Sequence, residues 1–482
     1  MSYLSNIYNR SLLLAALLLT GFFAPVARAQ ETATKPPDVT PEAKQQVLQA
    51  IGIQLTRAYA PGADFGKWPQ FREEQRAAID KAQTPAEFAA AVNAALARFG
   101  VSHVIFRTPQ AARARGGLVQ TVAEAAQVRA EVIKAEPAVM AAVGIGVRVR
   151  GEPGGLRVAL VFRGSPADNA GILVGDLIIE VDGKTPDNGA LWNTEGKEVS
   201  LKVRRADGSV KDFLVKQAQL FPLPADSLLW PASDTAVLKV HTFDLGYDAP
   251  RIEAFMRQAA SAKYLVLDLR GNPGGKITNL AHLLGMFLKE GTPIGTLVSR
   301  PIVDQYVKET GGDPNDTVKI AKWTPNKLTM VKSAVPVFTG HVAVLVDSVS
   351  GSTAEMAASA LQDILHAPVV GPSKTPGTVL ASYIAALPFG YTLQFPVMDY
   401  VTLRGVRLEG KGVQPDITTA NVPATVGPGP DVATDRAIAE LKKAALLGGD
   451  YRPRGSRPLL LELRVAGRWP QTGEKFMLVC QG

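Results

Sequence analysis

The sequence has little cysteine and histidine, which limits the chemistry that it can carry. Cys480 is the only cysteine among the 482 residues, so neither an intramolecular disulfide nor a cysteine-based metal site can form. The histidines are scattered and form no HxxH or HExxH pair, so we expect no metal and no other cofactor. These histidines are His103, His241, His282, His341 and His366.

Clusters of basic residues are also absent. The formal net charge is +8, but the lysines and arginines are spread along the chain. Nucleic-acid binding requires a basic patch or stripe, so we exclude that class of partner. The modest positive excess favours, at most, a peripheral contact with an anionic membrane surface.

Long apolar runs are missing except near the start of the chain. Arg10 precedes an apolar stretch from Leu12 to Phe23, and Ala27-Arg28-Ala29 fits the small-x-small rule for signal cleavage. The alternative is an uncleaved anchor, but the run is shorter than the roughly 20 residues that span a bilayer. We therefore predict a signal peptide cleaved before Gln30 and a periplasmic or secreted protein.

The remaining chain predicts a multidomain α/β protein, and its length suits about three domains. Helical patterns cover Glu42–Leu55, Pro85–Phe99 and Leu118–Lys134, and short β-branched runs begin near Ala142. After a proline-rich joint at 221–224, strands and helices alternate, which indicates a sheet with crossover helices. The predicted boundaries are 1–29 for the signal, 30–138 for a helical region, 139–220 for a β domain, 221–430 for an α/β core, and 431–482 for a helix and tail.

A series of glycine motifs in the β domain resembles a PDZ domain over residues 142–220. It begins with Gly144-Ile145-Gly146-Val147 and continues through Ser165-Pro166-Ala167, Gly175-Asp176-Leu177-Ile178 and Asp182-Gly183. The glycines let backbone N–H groups face one concavity, where a peptide carboxylate can bind while the peptide adds as a strand. The alternative is a domain that only packs against its neighbours.

Ser352 lies in a Ser/Gly turn between an apolar strand and a helix. A hydroxyl there is close to the positive end of the helix dipole and to N–H groups that can stabilise an oxyanion. Ser352-Thr353-Ala354-Glu355 is also a capping box, in which the serine only caps the helix. The segment taken alone favours the cap, and both roles require a hydroxyl that is free to turn toward a substrate.

Two further segments contain residues that could take part in catalysis. A buried strand ends at Asp268-Leu269-Arg270 and leads into the loop Gly271-Asn272-Pro273-Gly274-Gly275. It is not a phosphate-binding loop, because Arg270 stands where the first glycine is required and Ile277 follows Lys276 in place of Ser or Thr. An oxyanion hole is the better interpretation. Glu409 lies in a glycine-rich turn, where most carboxylates are merely solvated.

Together these motifs resemble the carboxyl-terminal processing (tail-specific) serine peptidases over residues 40–420, approximately. The resemblance implies a crotonase-like α/β peptidase core, endoproteolysis near protein C-termini, and substrates with free C-termini held by the PDZ domain. It implies Ser352 as the nucleophile. It also implies an oxyanion hole formed by Gly274 or Gly275 with the N–H of Thr353.

The sequence departs from that family at the general base. The family lysine position holds Pro376 or Gly377, depending on the alignment, and neither can accept a proton. Lys374 lies nearby as one replacement. The related tricorn-type peptidases pair serine with histidine and glutamate, and His241 in His241-Thr242-Phe243-Asp244-Leu245-Gly246 resembles their motif, with Glu409 as the carboxylate.

We therefore predict a Ser352/His241/Glu409 triad and interpret His103 as structural. The alternative function is an inactive peptide-binding scaffold of the same fold, which retains the binding domain but lacks a working base.

Overall fold

The structure is a computed structural model. It describes residues 39–109, 143–152, 154–161, 165–173, 175–192, 194–205, 207–220, 226–244, 246–419, 431–446 and 479–481. The predicted signal at 1–29, the predicted helix Leu118–Lys134, the joint at 221–224 and most of the tail after 447 lie outside these ranges. No helix in the described ranges is long and apolar enough to cross a membrane.

The first described region is helical. Thr40 caps the first helix by accepting the Ala43 N–H, and Thr84 and Glu87 form a capping box at the last one. Gly100 ends this region with φ +67°, a left-handed conformation that glycine adopts without steric cost. The helices are α1 (Pro41–Leu55), α2 (Trp68–Glu74), α3 (Arg76–Lys81) and α4 (Pro85–Leu96).

The PDZ-like region is an antiparallel five-stranded sheet with the strand order β3-β4-β5-β6-β7. Among the described residues, strand β3 pairs with β4 alone and is therefore an edge of this sheet. A separate two-stranded pair joins β2 to β8. The strands are β2 (Val143–Gly144), β3 (Val147–Glu152), β4 (Gly155–Val161), β5 (Leu177–Val181), β6 (Glu198–Arg204), β7 (Val210–Lys216) and β8 (Ala218–Gln219), with helix α5 (Pro166–Asn169) between β4 and β5.

A six-stranded sheet forms the centre of the core, with the strand order β19-β16-β15-β11-β10-β9. Five of these strands are parallel and connected by crossover segments, while β9 joins β10 antiparallel. The carboxyl ends of β11 and β15 therefore lie at one edge, which brings the glycine loop next to the Ser352 turn. The strands are β9 (Ser227–Ala232), β10 (Thr235–Lys239), β11 (Tyr264–Asp268), β15 (His341–Leu345), β16 (Val369–Gly371) and β19 (Ile417–Thr418).

A second core sheet has the order β12-β20-β17-β18-β13-β14, and β1 pairs with β18. The β1 pairing attaches the helical region to the core through antiparallel contacts from Ile105 to Arg107. The strands are β1 (Ile105–Arg107), β12 (Gly274–Lys276), β13 (Pro293–Ser299), β14 (Leu328–Thr329), β17 (Ala381–Ala386), β18 (Thr392–Thr402) and β20 (Val479–Gln481).

The core helices are amphipathic and cover the two sheets. The polar, glycine-, proline- and asparagine-rich sequence of residues 301–335 predicts an insertion that interrupts the alternation of strands and helices. In the structure Val303, Tyr306 and Ile320 instead bury an apolar face there, and the segment forms two helices. The mixed α/β fold class is confirmed, while the domain boundaries stay predictions. The helices are α6 (Ala249–Ala259), α7 (Ile277–Leu284), α8 (Arg300–Thr310), α9 (Thr317–Trp323), α10 (Thr353–Ile364) and α11 (Val432–Leu446).

An aromatic cluster attaches α4 to the core, and it gives a test of the fold. Phe88 is fully buried and meets Phe106 and Tyr391 edge-on, with ring centroids 5.6 and 5.8 Å away. We expect Phe88→Ala to lower the free energy of unfolding by about 3 to 5 kcal/mol, because it removes a ring from a close-packed site. Urea denaturation measures this. Ile53→Ala is the matched control, because Ile53 is exposed on α1, and an equal loss in both variants would contradict the packing.

Candidate active site

The Ser352 turn holds its serine in a strained conformation. Ser352 has φ +56° and ψ −117°, which a residue other than glycine rarely adopts. The preceding residues fix the turn, because Ser350 donates its N–H to Asp347 Oδ1 (2.9 Å) and Gly351 donates to the Asn272 carbonyl (2.9 Å). A sharp strand-to-helix turn of this kind is also how hydrolases project a nucleophile.

The Ser352 hydroxyl makes no hydrogen bond in the part of the chain that the structure describes, although its Oγ atom is buried. The carboxylate half of the capping box is formed, since Glu355 Oε2 accepts the Ser352 N–H at 2.9 Å. Glu355 thus holds the serine backbone while the hydroxyl is free of the cap. A buried hydroxyl without a partner is costly, which favours a functional role over a structural one.

The segment at the family lysine position folds around Glu355. Its buried carboxylate accepts hydrogen bonds from Thr375 Oγ1 (2.5 Å), the Gly377 N–H (2.8 Å) and the Thr378 N–H (2.9 Å). Burial raises the pKa of Glu355, and these hydrogen bonds oppose the shift. This segment therefore supports the serine turn but provides no proton acceptor beside Ser352.

Glycine is required where the loop packs on Ser352. Gly274 has φ +95°, and a Cβ there would lie 2.6 Å from Ser352 Cβ and 3.1 Å from Thr353 N. The Gly274 N–H is occupied, because it donates to Asn272 Oδ1 at 2.9 Å. Of the predicted oxyanion donors, the Gly274 N–H is therefore already engaged, which leaves those of Gly275 and Thr353 as candidates.

Arg270 anchors the start of this loop. Its guanidinium donates to Asp268 Oδ1 (2.9 Å) and to Asp431 Oδ2 (2.6 Å), which immediately precedes α11. Burial alone would raise the pKa of Asp268, but the adjacent Arg270 and Lys239 hold that pKa well below its usual range. The charged cluster therefore fixes the start of the glycine loop and links it to Asp431 at the start of α11.

The structure separates the predicted bases from their predicted partners. Lys374 is exposed, and its Nζ donates to the Lys411 carbonyl at 3.1 Å. His241 Nδ1 lies 2.7 Å from Asp226 Oδ1, so the carboxylate that orients His241 is Asp226. Glu409 instead accepts the N–H groups of Ser102 (3.0 Å) and Val379 (2.9 Å). The structure thus does not bring Glu409 to His241.

The histidine next to Glu409 is His103, which we had interpreted as structural. Ser102 Oγ lies 2.6 Å from His103 Nδ1, and the Ser102 N–H donates to Glu409 Oε1 at 3.0 Å. His103 is 4% exposed, and its Nε2 makes no hydrogen bond among the described residues. Ser102 thus links the Glu409 carboxylate, through its backbone N–H, to the His103 imidazole, through its hydroxyl. This relay ends in a ring nitrogen that has no hydrogen bond among the described residues.

Burial keeps the imidazole of this relay neutral. Burial, with a smaller effect of Arg107, lowers the pKa of His103 to about 3, so the imidazole is neutral at physiological pH. Burial raises the pKa of Glu409, and the hydrogen bonds from Ser102 and Val379 oppose that shift. A neutral imidazole can accept a proton, and a hydrogen bond at Nδ1 determines which ring nitrogen is available.

Hydrogen bonds connect the relay to the serine turn through one short segment. Val379 donates its N–H to Glu409, and its neighbour Thr378 donates to Glu355, which holds the Ser352 N–H. Ser352 Oγ and His103 Nε2 do not hydrogen-bond each other. The sequence signal for His103 was that Gly100-Val101-Ser102-His103 resembles a family stretch near the end of the helical region. Its link to Glu409 could not be predicted, because the register of β1 on β18 is a tertiary feature.

The predicted peptide-binding loop is partly engaged inside its own domain. The Ile145 N–H donates to the Leu191 carbonyl (3.1 Å), and a Cβ on Gly144 would lie 2.5 Å from the Trp192 ring. Gly146, with φ +86°, and Val147 lead into the edge strand β3. That edge is the surface where a peptide strand can add.

One residue of β3 also reaches the glycine loop. Arg148 donates to the Gly271 carbonyl at 2.7 Å. Burial lowers the pKa of Arg148, and the negative charge of Asp347 opposes this shift. The edge of the PDZ-like domain and the loop beside Ser352 are therefore in direct contact. Within the described residues no cluster of three His, Cys, Asp or Glu side chains could hold a metal ion.

Comparison with known families agrees with this geometry. Residues 234–419 match peptidase family S41, and residues 157–205 match the PDZ domain. A peptidase family S41 region and a PDZ region are therefore found in the chain, and the resemblance found in the sequence is confirmed.

Individual relatives support the same assignment. The chain is 28% identical over 284 residues to a probable CtpA-like serine protease of Staphylococcus aureus (strain N315), covering 57% of this chain and 52% of that protein. A Staphylococcus haemolyticus (strain JCSC1435) protein with the same description is 25% identical over 288 residues, covering 58% and 53%. The chain therefore spans about half the length of these curated relatives.

A solved structure shares the fold. The photosystem II D1 C-terminal processing protease superposes with a TM-score of 0.51 and 18% identity, covering 81% of this chain and 96% of that one. At that identity the likeness concerns the fold alone.

The pKa of His103 makes stability depend on pH in a defined direction. An unfolded histidine has a pKa of about 6.5. Between that pH and about 3 the unfolded chain therefore binds a proton that folded His103 does not. As pH falls through this window, His103 should lower the free energy of unfolding by up to ~1.4 kcal/mol per pH unit.

Urea denaturation at a series of pH values, on wild type and His103→Gln, isolates this contribution. We expect the wild type to lose stability more steeply than the variant below about pH 6.5. Parallel curves for the two proteins would contradict a buried, neutral His103.

Proposed function

We propose that this protein is a serine endopeptidase whose nucleophile is Ser352 and whose general base is His103, oriented by Ser102 and Glu409. The observation that carries the proposal is that Ser352 Oγ and His103 Nε2 are both buried and both lack a hydrogen bond among the described residues. Ser352 and His103 are each linked by hydrogen bonds to the segment Thr375–Val379. Ser352 is linked through Glu355, and His103 through Ser102 and Glu409. A nucleophile, a base and an orienting carboxylate are the parts that acyl transfer requires.

In this mechanism His103 Nε2 takes the proton of Ser352 as Oγ attacks the scissile carbonyl carbon. The N–H groups of Gly275 and Thr353 stabilise the negative oxygen of the tetrahedral intermediate. His103 then donates its proton to the leaving amine, which breaks the C–N bond and leaves an acyl-enzyme. The same histidine activates the water that hydrolyses this ester.

A low pKa makes His103 neutral but also a weak base in the unliganded protein. Negative charge from Glu409, relayed through Ser102, stabilises the imidazolium as it forms. Catalytic hydrogen bonds are often long before substrate binds, so the missing Ser352–His103 bond is compatible with this role. Substrate binding has to bring the two atoms within reach.

His241 is the second candidate base, because Asp226 orients it and the segment that follows it contacts the glycine loop. The Phe243 N–H donates to the Gly274 carbonyl at 2.9 Å. His241 has no hydrogen bond to Glu409 among the described residues, whereas the predicted triad required one. Lys374, exposed and bonded to a carbonyl, has the weakest support.

The PDZ domain would hold the C-terminal tail of a protein substrate on the edge of β3. Tethering raises the concentration of the tail at the core, so a weak cleavage site becomes an effective substrate. Arg148, which bonds the Gly271 carbonyl, would couple this binding to the glycine loop. The predicted signal at 1–29 supports a periplasmic or secreted location, where misfolded or immature envelope proteins present such tails.

A peptide-binding scaffold without activity is the other candidate. It is favoured by the lack of a base at Pro376 and Gly377 and by the absence of a Ser352–His103 hydrogen bond. Such a scaffold would bind C-terminal peptides at β3 and leave them intact.

Site-directed variants distinguish these possibilities. With fluorescein-labelled casein as the substrate, Ser352→Ala should reduce cleavage to the level of the uncatalysed control. We expect His103→Gln to lower kcat/KM by about 100- to 10,000-fold, because a positioned base contributes that much. His241→Gln and Lys374→Ala should change it much less. The rate of fluorescence release measures all four variants.

The opposite pattern would identify a different site. A large loss in His241→Gln together with a small loss in His103→Gln would assign the base to His241. Wild-type cleavage equal to that of Ser352→Ala would support the inactive scaffold, provided that both proteins unfold at the same urea concentration.

A further inference from the structure

The strand β20 lies beside the candidate oxyanion hole. It pairs antiparallel with β12, with Gln481 opposite Gly274, Cys480 opposite Gly275 and Val479 opposite Lys276. Val479 is also paired with Ser382 of β17. A segment that follows α11 by 32 residues of sequence therefore fills the space between the glycine loop and the next strand of its sheet.

The direction of the backbone groups in β12 shows what β20 covers. On one side, the Gly274 carbonyl accepts the Phe243 N–H (2.9 Å), and the Lys276 N–H donates to the Phe243 carbonyl (2.7 Å). Backbone groups of successive residues in a strand point to opposite sides. The N–H and carbonyl of Gly275 therefore point away from Phe243, toward Cys480.

The Gly275 N–H cannot serve two partners at once. If it is paired with β20, it is not available to a substrate oxyanion, and the Gly274 N–H is already bonded to Asn272. A substrate whose scissile carbonyl is to meet Ser352 must approach the same edge of β12, because Gly274 packs directly on Ser352. Strand β20 therefore occupies the position that an extended substrate needs.

We propose that β20 is an intramolecular competitor of substrate: it pairs with β12 in the resting protein and has to leave before a peptide strand can reach Ser352. This inference rests on the proposed function only for its consequence on cleavage, since the competition itself concerns binding. Recognition through backbone groups depends little on side chains, which suits a groove that accepts many peptide sequences. A tethered strand competes at an effective concentration on the order of millimolar.

Proline substitution in β20 tests the proposal within the full chain. Cys480→Pro removes the N–H that faces Gly275 and disfavours the strand, whereas Cys480→Ala keeps the backbone and is the matched control. The probe is a fluorescein-labelled peptide of residues 474–482 carrying Cys480→Ser, with an amidated end to suppress binding to the PDZ domain. Fluorescence anisotropy measures its Kd in a Ser352→Ala background, where no cleavage can occur.

We expect Cys480→Pro to bind this peptide at least tenfold more tightly than Cys480→Ala does. With Ser352 intact, Cys480→Pro should also cleave labelled casein faster, chiefly through a lower KM. Unchanged Kd values for the two variants would overturn the proposal. So would a loss of binding in Cys480→Pro together with a lower urea midpoint, which would make β20 a structural strand that joins β12 to β17.

Hydrogen exchange on the wild-type chain gives a second test that does not depend on any variant. Saturating peptide should accelerate amide exchange at residues 479–481, because the added strand displaces the internal one. Unchanged exchange in the presence of bound peptide would overturn the proposal.

The two arms separate this inference from the proposed function. If peptide binding tightens in Cys480→Pro but no variant cleaves casein, the competitor is supported and the peptidase activity is not. If cleavage depends on Ser352 while neither binding nor exchange changes, the activity stands and the competitor fails.

Discussion

The backbone of Ser352 depends on a buried carboxylate. A left-handed conformation at a residue other than glycine costs about 1–3 kcal/mol and persists only when its surroundings fix it. Here Glu355 accepts the Ser352 N–H, and the same carboxylate collects the hydrogen bonds of Thr375, Gly377 and Thr378. One interaction thus holds the serine turn, orders the segment at the family lysine position and, through Val379, supports the carboxylate of Glu409.

This arrangement shows what the segment at the family lysine position does in the absence of that lysine. The segment from Thr375 to Val379 contributes hydrogen-bond donors and no side-chain base. Its backbone links the turn to the relay of Glu409, Ser102 and His103. Ser102 and His103 come from the end of the helical region, far from Glu409 in the sequence. The proposed base, His103, lies just before β1, so the pairing of β1 with β18 helps to position it. The packing around Phe88 and Phe106 would therefore support function as well as stability.

Much of the fold follows from local sequence patterns. The parallel strands Tyr264–Asp268 and His341–Leu345 are continuous apolar runs, and the Ser352 turn and the glycine loop follow them directly. Parallel strands end at a common edge, so the proximity of these two loops was predictable. The helices α8 and α9 were missed because their apolar faces are narrow and their surroundings rich in glycine, proline and asparagine.

The partner of Glu409 was not predictable from local patterns. His241 was chosen because its motif matched in order along the sequence. Its hydrogen-bond partner depends on how the strands are placed, and in the structure that partner is Asp226. Ser102 and Glu409 are 307 residues apart, and only the pairing of β1 with β18 brings them together. The contact of β20 with the glycine loop is equally non-local.

The central claim is that Ser352 is an activated nucleophile served by His103. The most direct measurement is treatment of the purified protein with a fluorophosphonate probe, followed by peptide mapping with mass spectrometry. The account predicts an adduct on Ser352, formed at least 100-fold more slowly in His103→Gln because the hydroxyl then lacks its base. The absence of an adduct on Ser352, or an equal rate in His103→Gln, would contradict it.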